Sequence, residues 1–327
     1  MPRPDVCKRA CTLFLICGAT AIASPAQPTF TTLASFDWSN GASPALMSLV
    51  QGLDGDFYGT TYWGGAYGYG TIFKIARSGE LTTLYNFCAQ SNCPDGAGPV
   101  AGLVLGTDGN FYGTTLYGGA HDSGTVFKIA PGGTLTTLYA FCAQAKCSDG
   151  AYSEAGLVQA TSGNFYGTTA GGGTSGYGTV FKITPSGTLT TLHSFCAQTN
   201  CTDGAYPRAE LVQATDGNFY GTTYSGGSSG NCNAPPGCGT AFRVTVGLGP
   251  FVEALPYSGK VGATIDFLGE GLAATTGVSF NGTAASFTVK SETYLTATVP
   301  SGAATGYVTV ATPGGLLKSN KKFRVTQ

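Results

Sequence analysis

Along the chain, short apolar runs alternate with punctuation rich in Gly, Asp and Asn, and the alternation itself repeats at a long fixed period. "NFYGTT" stands at residues 110–115, 164–169 and 218–223, with "DFYGTT" at 56–61, so Gly59, Gly113, Gly167 and Gly221 recur every 54 residues. A period of that length marks a repeat architecture, in which each unit buries its apolar faces only against its neighbours. Within one unit, "AGLVLGTDGNFYGTTLYGGAHDSGTVFKIAPGGTLTTLYAFC" at 101–142, four strand-like runs are separated by Asp108-Gly109, by the segment after Gly118-Gly119, and by "PGG". The pattern predicts four short strands per unit, A to D, with tight turns from A to B and from C to D. Units one to three supply all four strands, over 46–87, 100–141 and 154–195. The fourth, over 208–246, lacks strand D, whereas "FTTLASF" at 30–36 is a D strand with no unit ahead of it. The expected fold is therefore all-β: a four-bladed β-propeller over 28–247, closed by that N-terminal strand so that no sheet edge is left exposed.

Charge changes little in this picture. Only 10% of the residues are charged and the formal net charge is −1, which leaves no electrostatic footprint for nucleic acid or an anionic membrane. The N-terminus changes more. Arg3, Lys8 and Arg9 precede an apolar run that ends in Ala21-Ile22-Ala23, the layout of a secretory signal over 1–23, with cleavage after Ala23 or Ala26. Cys17 raises a lipoprotein signal as a rival, but Ile16 stands where a small residue is wanted. No other run approaches the roughly 18 to 20 apolar residues that span a bilayer. The sequence thus predicts an exported monomer without a membrane span.

Export gives the cysteines a role. Cys7, Cys11 and Cys17 leave with the signal, and eight remain. Three pairs recur at one place in the repeat, in "FCAQSNC", "FCAQAKC" and "FCAQTNC". An oxidising compartment favours disulfides, and two cysteines per unit make only half a tetrahedral zinc site. The expected pairs are Cys88 with Cys93, Cys142 with Cys147, Cys196 with Cys201, and Cys232 with Cys238.

The residues "DGNFYGTT", "GTVFKI" and "SGTLTTL" resemble the GloVer tandem repeat of secreted bacterial proteins, over about residues 30–246. The resemblance implies an exported, repeat-built protein and brings no activity with it. From Pro250 onward the repeat and the cysteines stop. "VSFNGTAASF", "VPSGAATGYVTV" and the final "FRV" resemble an IPT/TIG domain. That resemblance implies an immunoglobulin-like β-sandwich over 250–327 that serves as a spacer or adhesion module, and Asn281-Gly282 marks a hairpin within it.

Candidate chemistry is sparse. His193 stands where the other units have Tyr85 and Tyr139, and His121 has no second histidine placed to share a metal. Asp95, Asp149 and Asp203 follow the second cysteine of each loop. A carboxylate pair would suit glycoside hydrolysis, but Asp-Gly at a turn more simply accepts nearby backbone N–H groups. No catalytic residue, metal or cofactor is predicted. What remains is an asymmetry. The A–B and C–D turns are short, whereas the B–C and D–A connections are long, varied and rich in aromatics, and both of the latter lie on one face. Tyr62, Trp63, Tyr67, Tyr69, Tyr117, Tyr177 and Tyr224, with Asp95, Asp149 and Asp203 beside them, form the candidate ligand-binding set, and Tyr152 and Tyr206 crowd the same face. The expected function is non-catalytic recognition of an extracellular glycan or cell-surface component. The alternatives are a structural or adhesive envelope component and, third, a polysaccharide-degrading enzyme.

Overall fold

Every letter of the repeated phrase has a structural task. In the computed structural model, which describes residues 29–44, 48–228 and 237–327, Phe-Tyr-Gly-Thr-Thr is the second strand of units one to three, and Phe-Tyr-Gly-Thr that of unit four. The predicted signal at 1–23 lies outside the described residues. Unit one is built from β1 (Val50–Gln51), β2 (Phe57–Thr61), β3 (Thr71–Ile75) and β4 (Leu81–Asn86). Unit two follows with β5 (Val104–Leu105), β6 (Phe111–Thr115), β7 (Thr125–Ile129) and β8 (Leu135–Ala140). Unit three has β9 (Val158–Gln159), β10 (Phe165–Thr169), β11 (Thr179–Ile183) and β12 (Leu189–Ser194), and unit four has β13 (Val212–Gln213), β14 (Phe219–Thr222) and β15 (Ala241–Val244). Each unit is an antiparallel meander paired in sequence order.

Successive side chains of a strand point to opposite faces, so Phe and Tyr of the phrase serve different neighbours. Tyr58 stacks on Phe111 of the next unit with ring centroids 4.1 Å apart, Tyr112 on Phe165 at 4.0 Å, and Tyr166 on Phe219 at 4.1 Å. The glycine between the strands' partners is required by close approach: a Cβ on Gly113 would fall 2.6 Å from Phe127 Cζ. The final threonine pairs with the first residue of the next strand, Thr115 Oγ1 lying 2.9 Å from Thr125 Oγ1. Between units the cores have a constant recipe. Tyr58, Ile72 and Phe87 of unit one close on Leu103, Phe111, Phe127 and Ile129 of unit two. The same positions recur between units two and three and between three and four. Each buried side chain of this size stabilises by about 1.5–3 kcal/mol.

The short turns follow one scheme. Gly109 N–H donates to Gly106 O at 2.9 Å with Gly109 at φ 81°, and Gly133 N–H donates to Ala130 O at 2.8 Å with Gly133 at φ 91°. This is a β-turn whose last residue needs the left-handed region that glycine enters freely. Asp54, Asp108 and Asp216 in the A–B turns each accept the hydroxyl of the tyrosine four residues on, at 2.7, 2.9 and 2.8 Å.

The expected closure of the ring by residues 30–36 is corrected. Among the described residues no ladder joins that segment to β15, residues 29–36 form no strand, and the fourth sheet ends at three strands. The segment nevertheless reaches the D-strand position beside unit one. Phe36 lies 4.9 Å from Phe73, as Phe87 lies 5.4 Å from Phe127 and Phe141 lies 5.3 Å from Phe181. Among the described residues no strand ladder joins unit one to unit four, so the row of four sheets has two ends.

After the repeats come β16 (Glu253–Leu255), β17 (Ser258–Lys260), β18 (Thr264–Leu268), β19 (Gly277–Phe280), β20 (Thr283–Ala285), β21 (Phe287–Val289), β22 (Tyr294–Thr298), β23 (Val308–Thr312), β24 (Gly315–Lys318) and β25 (Arg324–Thr326). Two four-stranded sheets, β16-β18-β22-β21 and β20-β19-β23-β24, enclose a core that includes Ile265, Phe267, Phe280, Leu295, Val310 and Phe323. Asn281 at φ 47° and Gly282 at φ 92° make the predicted two-residue hairpin between β19 and β20. A turn with both central residues at positive φ matches the twist of the strands it joins.

Candidate functional site

The long connections do share one face. Ala97 of a D–A connection bridges to Tyr117 of a B–C loop, Ala151 to Gly171, and Ala205 to Ser225. The next tie crosses from unit to unit: Gly98 N–H donates to Tyr69 O, Tyr152 N–H to Ser123 O, and Tyr206 N–H to Tyr177 O, each at 2.8 Å. Three of the cysteine loops are closed as predicted, by Cys88–Cys93, Cys142–Cys147 and Cys196–Cys201. The fourth expected pair includes Cys232, which lies outside the described residues. Each loop leans on the following Gly-Gly: Gly119, Gly173 and Gly227 donate to Cys93 O, Cys147 O and Cys201 O at 2.8, 2.8 and 2.9 Å.

On this stitched face the aromatics form a connected run. Trp63 packs edge-on against Tyr62 with centroids 4.4 Å apart, and Tyr117 meets Tyr152 at 6.1 Å. Tyr62 and Tyr117 both border Gly98, where a Cβ would fall 2.8 Å from Tyr62 Cε2 and 3.7 Å from Tyr117 Cδ2, and burial first, then Tyr117, pushes the Tyr62 hydroxyl above its ordinary pKa. A second pair, Tyr177 and Tyr206, lies at 5.2 Å. Trp63, Tyr67, Tyr69, Tyr117, Tyr152 and Tyr224 are exposed, while Tyr62, Tyr177 and Tyr206 are half-buried. Tyr152 and Tyr206 hold φ values of 60° and 57° at the place where unit two has Gly98. A bulky residue in the left-handed region is unusual and costs energy, and such residues concentrate at binding positions.

The three loop carboxylates are turned inward, away from this run. Asp149 is fully buried and accepts Tyr139 Oη at 2.7 Å, Ala143 N at 2.9 Å and Gln144 N at 3.2 Å. Asp203 lies 3.1 Å from His193 Nε2 and accepts Ala197 N and Gln198 N. Asp95 accepts Tyr85 Oη at 2.9 Å and Cys88 N at 3.0 Å. Each carboxylate thus folds its cysteine loop onto strand D, and His193 substitutes for tyrosine as the partner.

Sequence reasoning missed two charged residues beside the aromatics. The Arg208 guanidinium sits 5.0 Å over the Tyr224 ring, and its Nε lies 3.6 Å from Glu154 Oε2. Their signal was available: both stand just before strand A, where unit two has Val100, in a chain with few charges. They line one part of a cleft of about 1490 Å³ formed by the A strands of all four units, with Glu253, Tyr307 and residues 320–322 of the C-terminal domain along its wall.

Comparison with known proteins adds a family. The model of the Gloeobacter/Verrucomicrobia repeat matches residues 18–159 and 141–267, and that of the IPT/TIG domain matches 250–325. No curated protein matches the chain. Among solved structures, a protein solved as a candidate gluconolactonase is 14% identical, with a TM-score of 0.37 over 76% of this chain and 72% of that one. The extracellular domain of a one-component system from B. thetaiotaomicron is 11% identical, with a TM-score of 0.39 over 82% of this chain and 33% of that one. Sucrose-6-phosphate hydrolase from Lactobacillus gasseri is 11% identical, with a TM-score of 0.39 over 89% and 75%. Scores at this level carry no argument about the present chain. The repeat matches, which together span most of the sequence, do: the chain belongs to the Gloeobacter/Verrucomicrobia repeat family and carries an IPT/TIG domain at 250–325.

Proposed function

We propose that the protein is an exported, non-catalytic recognition protein whose repeat sheets are propeller blades and whose loop face holds a saccharide chain. The observation that carries this reading is the run from Trp63 through Tyr62 and Tyr117 to Tyr152, exposed at both ends and anchored by backbone ties that cross between units. Aromatic faces pack against the apolar faces of sugar rings while their hydroxyls hydrogen-bond. The Arg208–Glu154 pair offers a charged flank to the same surface. A non-catalytic role is supported by the carboxylates of Asp149 and Asp203, both oxygens of which are occupied with tyrosine, histidine and backbone partners.

A structural or adhesive role in the envelope is the second reading, favoured by the IPT/TIG domain. Both readings place the protein outside the cytoplasm, in keeping with its three disulfides. A glycan array probed with the chain lacking residues 1–23 separates them. Selective retention that is lost in Tyr117→Ala supports recognition, uniform absence of retention supports the structural role, and shortening of an added polysaccharide supports an enzyme.

A further inference from the structure

The two ends of the row carry the two unmatched halves of one interface. Inside the chain, every junction between units joins a trailing face to a leading face. The trailing face presents Tyr from strand B, Ile or Val from strand C and the Phe that directly follows strand D. The leading face presents the Leu that directly precedes strand A and Phe from strands B and C. At the end of unit four the trailing face is incomplete. Tyr220 is only half-buried, although Tyr58, Tyr112 and Tyr166 are at most 2% exposed. Ala241 is exposed, although Ile72, Val126 and Val180 at its position are fully buried, and among the described residues unit four has no D strand. A shallow pocket lies over Val212, Tyr220, Ala241 and Phe242, and no residue of the C-terminal domain lines it.

At the start of unit one the leading face has the complementary gap. Leu49 is 51% exposed, against 8% or less for Leu103, Leu157 and Leu211. Phe57 is half-buried where Phe111, Phe165 and Phe219 are buried. Phe36 is already docked on Phe73 in the place of the phenylalanine that follows strand D of a preceding unit.

The geometry points to a second copy of this chain as the occupant of both ends: the trailing face of each copy takes the leading face of the other, and residues 33–36 of each lie along β15 of its partner as the missing fourth strand. Such an interface is heterologous, and it makes a ring only if the rotation closes. Two rows of four sheets give eight, within the range of about four to eight blades that propellers use. Three copies would exceed it. The interface needs no new chemistry, because it repeats the three aromatic junctions within the chain. This departs from the monomer expected from the sequence, and it is independent of what the loop face binds.

Two exposed positions test the proposal without disturbing the fold. Ala241→Arg blocks only the trailing face and Leu49→Arg only the leading face. Sedimentation of the chain lacking residues 1–23 should give twice the chain mass, and each variant alone should give the single-chain mass with an unchanged circular dichroism spectrum. An equal mixture of the two variants should regain the doubled mass, because one of the two junctions in the mixed pair is intact. A wild-type monomer overturns the proposal, as does a larger or open-ended assembly. Variants that both remain dimeric, or a mixture that stays monomeric, overturn it equally, since the contact would then lie elsewhere or be of another symmetry.

Discussion

Tyr139 on strand D donates its hydroxyl across 2.7 Å to the carboxylate of Asp149, ten residues later and fully buried at the far end of the cysteine loop. The same carboxylate receives two backbone N–H groups. Removing it strands the half-buried Tyr139 hydroxyl and the N–H groups of two exposed residues, Ala143 and Gln144, and a buried donor left unsatisfied costs about 1–3 kcal/mol. Asp149→Ala should therefore lower stability by about 1–3 kcal/mol. Asp203→Ala should cost less, because its contacts are longer, at 3.1, 3.1 and 3.3 Å. Denaturant melts of the two variants check the order. If Asp149→Ala melts like the wild type and only loses ligand, the carboxylate is a binding group after all.

Glycine in the repeated strand should be irreplaceable for reasons of space. A Cβ on Gly167 would fall 2.8 Å from Phe181 Cζ and 2.9 Å from Leu157 Cδ2. Overpacking of this kind costs typically about 1–3 kcal/mol, so Gly167→Ala should melt well below the wild type. Gly132→Ala is the control. That glycine meets nothing within 4 Å and does not lie at positive φ, so alanine there should be neutral or slightly stabilising. Equal melts for the two variants would dispose of the packing explanation.

Alkali should loosen the junctions between units. Burial, and then the Asp54 carboxylate that accepts its proton, push the Tyr58 hydroxyl up from 10.0 to about 12. Burial and an aspartate partner also raise Tyr85, Tyr112 and Tyr139. A folded pKa raised above the unfolded one gives stability that is fully present below about pH 10 and is lost as the pH climbs through 12. The Asp54 carboxyl, held low chiefly by the Tyr58 hydrogen bond, works at the other end: its contribution is present above about pH 4 and falls away below it. Melting temperature followed from pH 7 to 12 should drop steeply above pH 10, and a flat profile there would contradict these assignments.

The strands were legible because their causes are local. Asp108-Gly109 announces its turn, the alternation after "PGG" announces strand D, and the 54-residue period announces stacking. The inward aim of Asp95, Asp149 and Asp203 was also within reach, since an Asp-Gly turn carboxylate has backbone N–H groups beside it. Closure was not legible. Counting strands shows that residues 30–36 complement unit four, but whether they meet depends on how the four units are arranged in space, which no local pattern encodes. Nor could the sequence place Arg208 over Tyr224, because that contact depends on how one loop follows another in space.

The loop face should separate binding from stability. Trp63 and Tyr117 are 39% and 41% exposed, whereas Tyr112 is 1% exposed and stacked on Phe165. Substitutions at exposed positions usually change stability by no more than about 0.5 kcal/mol, and the edge contacts of Trp63 and Tyr117 add about 0.5–1.5 kcal/mol each. The double variant Trp63→Ala/Tyr117→Ala should thus keep nearly the wild-type melting temperature. Its retention on whichever glycan the wild type selects should fall at least about tenfold, which corresponds to about 1.4 kcal/mol of lost contact. Tyr112→Ala should behave in the opposite way: it opens a cavity between units, costs about 3–5 kcal/mol by analogy with other large-to-alanine core changes, and reduces binding only through loss of folded protein. Affinity chromatography paired with thermal melts reads both axes. A double variant that melts as low as Tyr112→Ala would make Trp63 and Tyr117 packing residues. One that melts normally and still binds would move the site off this face.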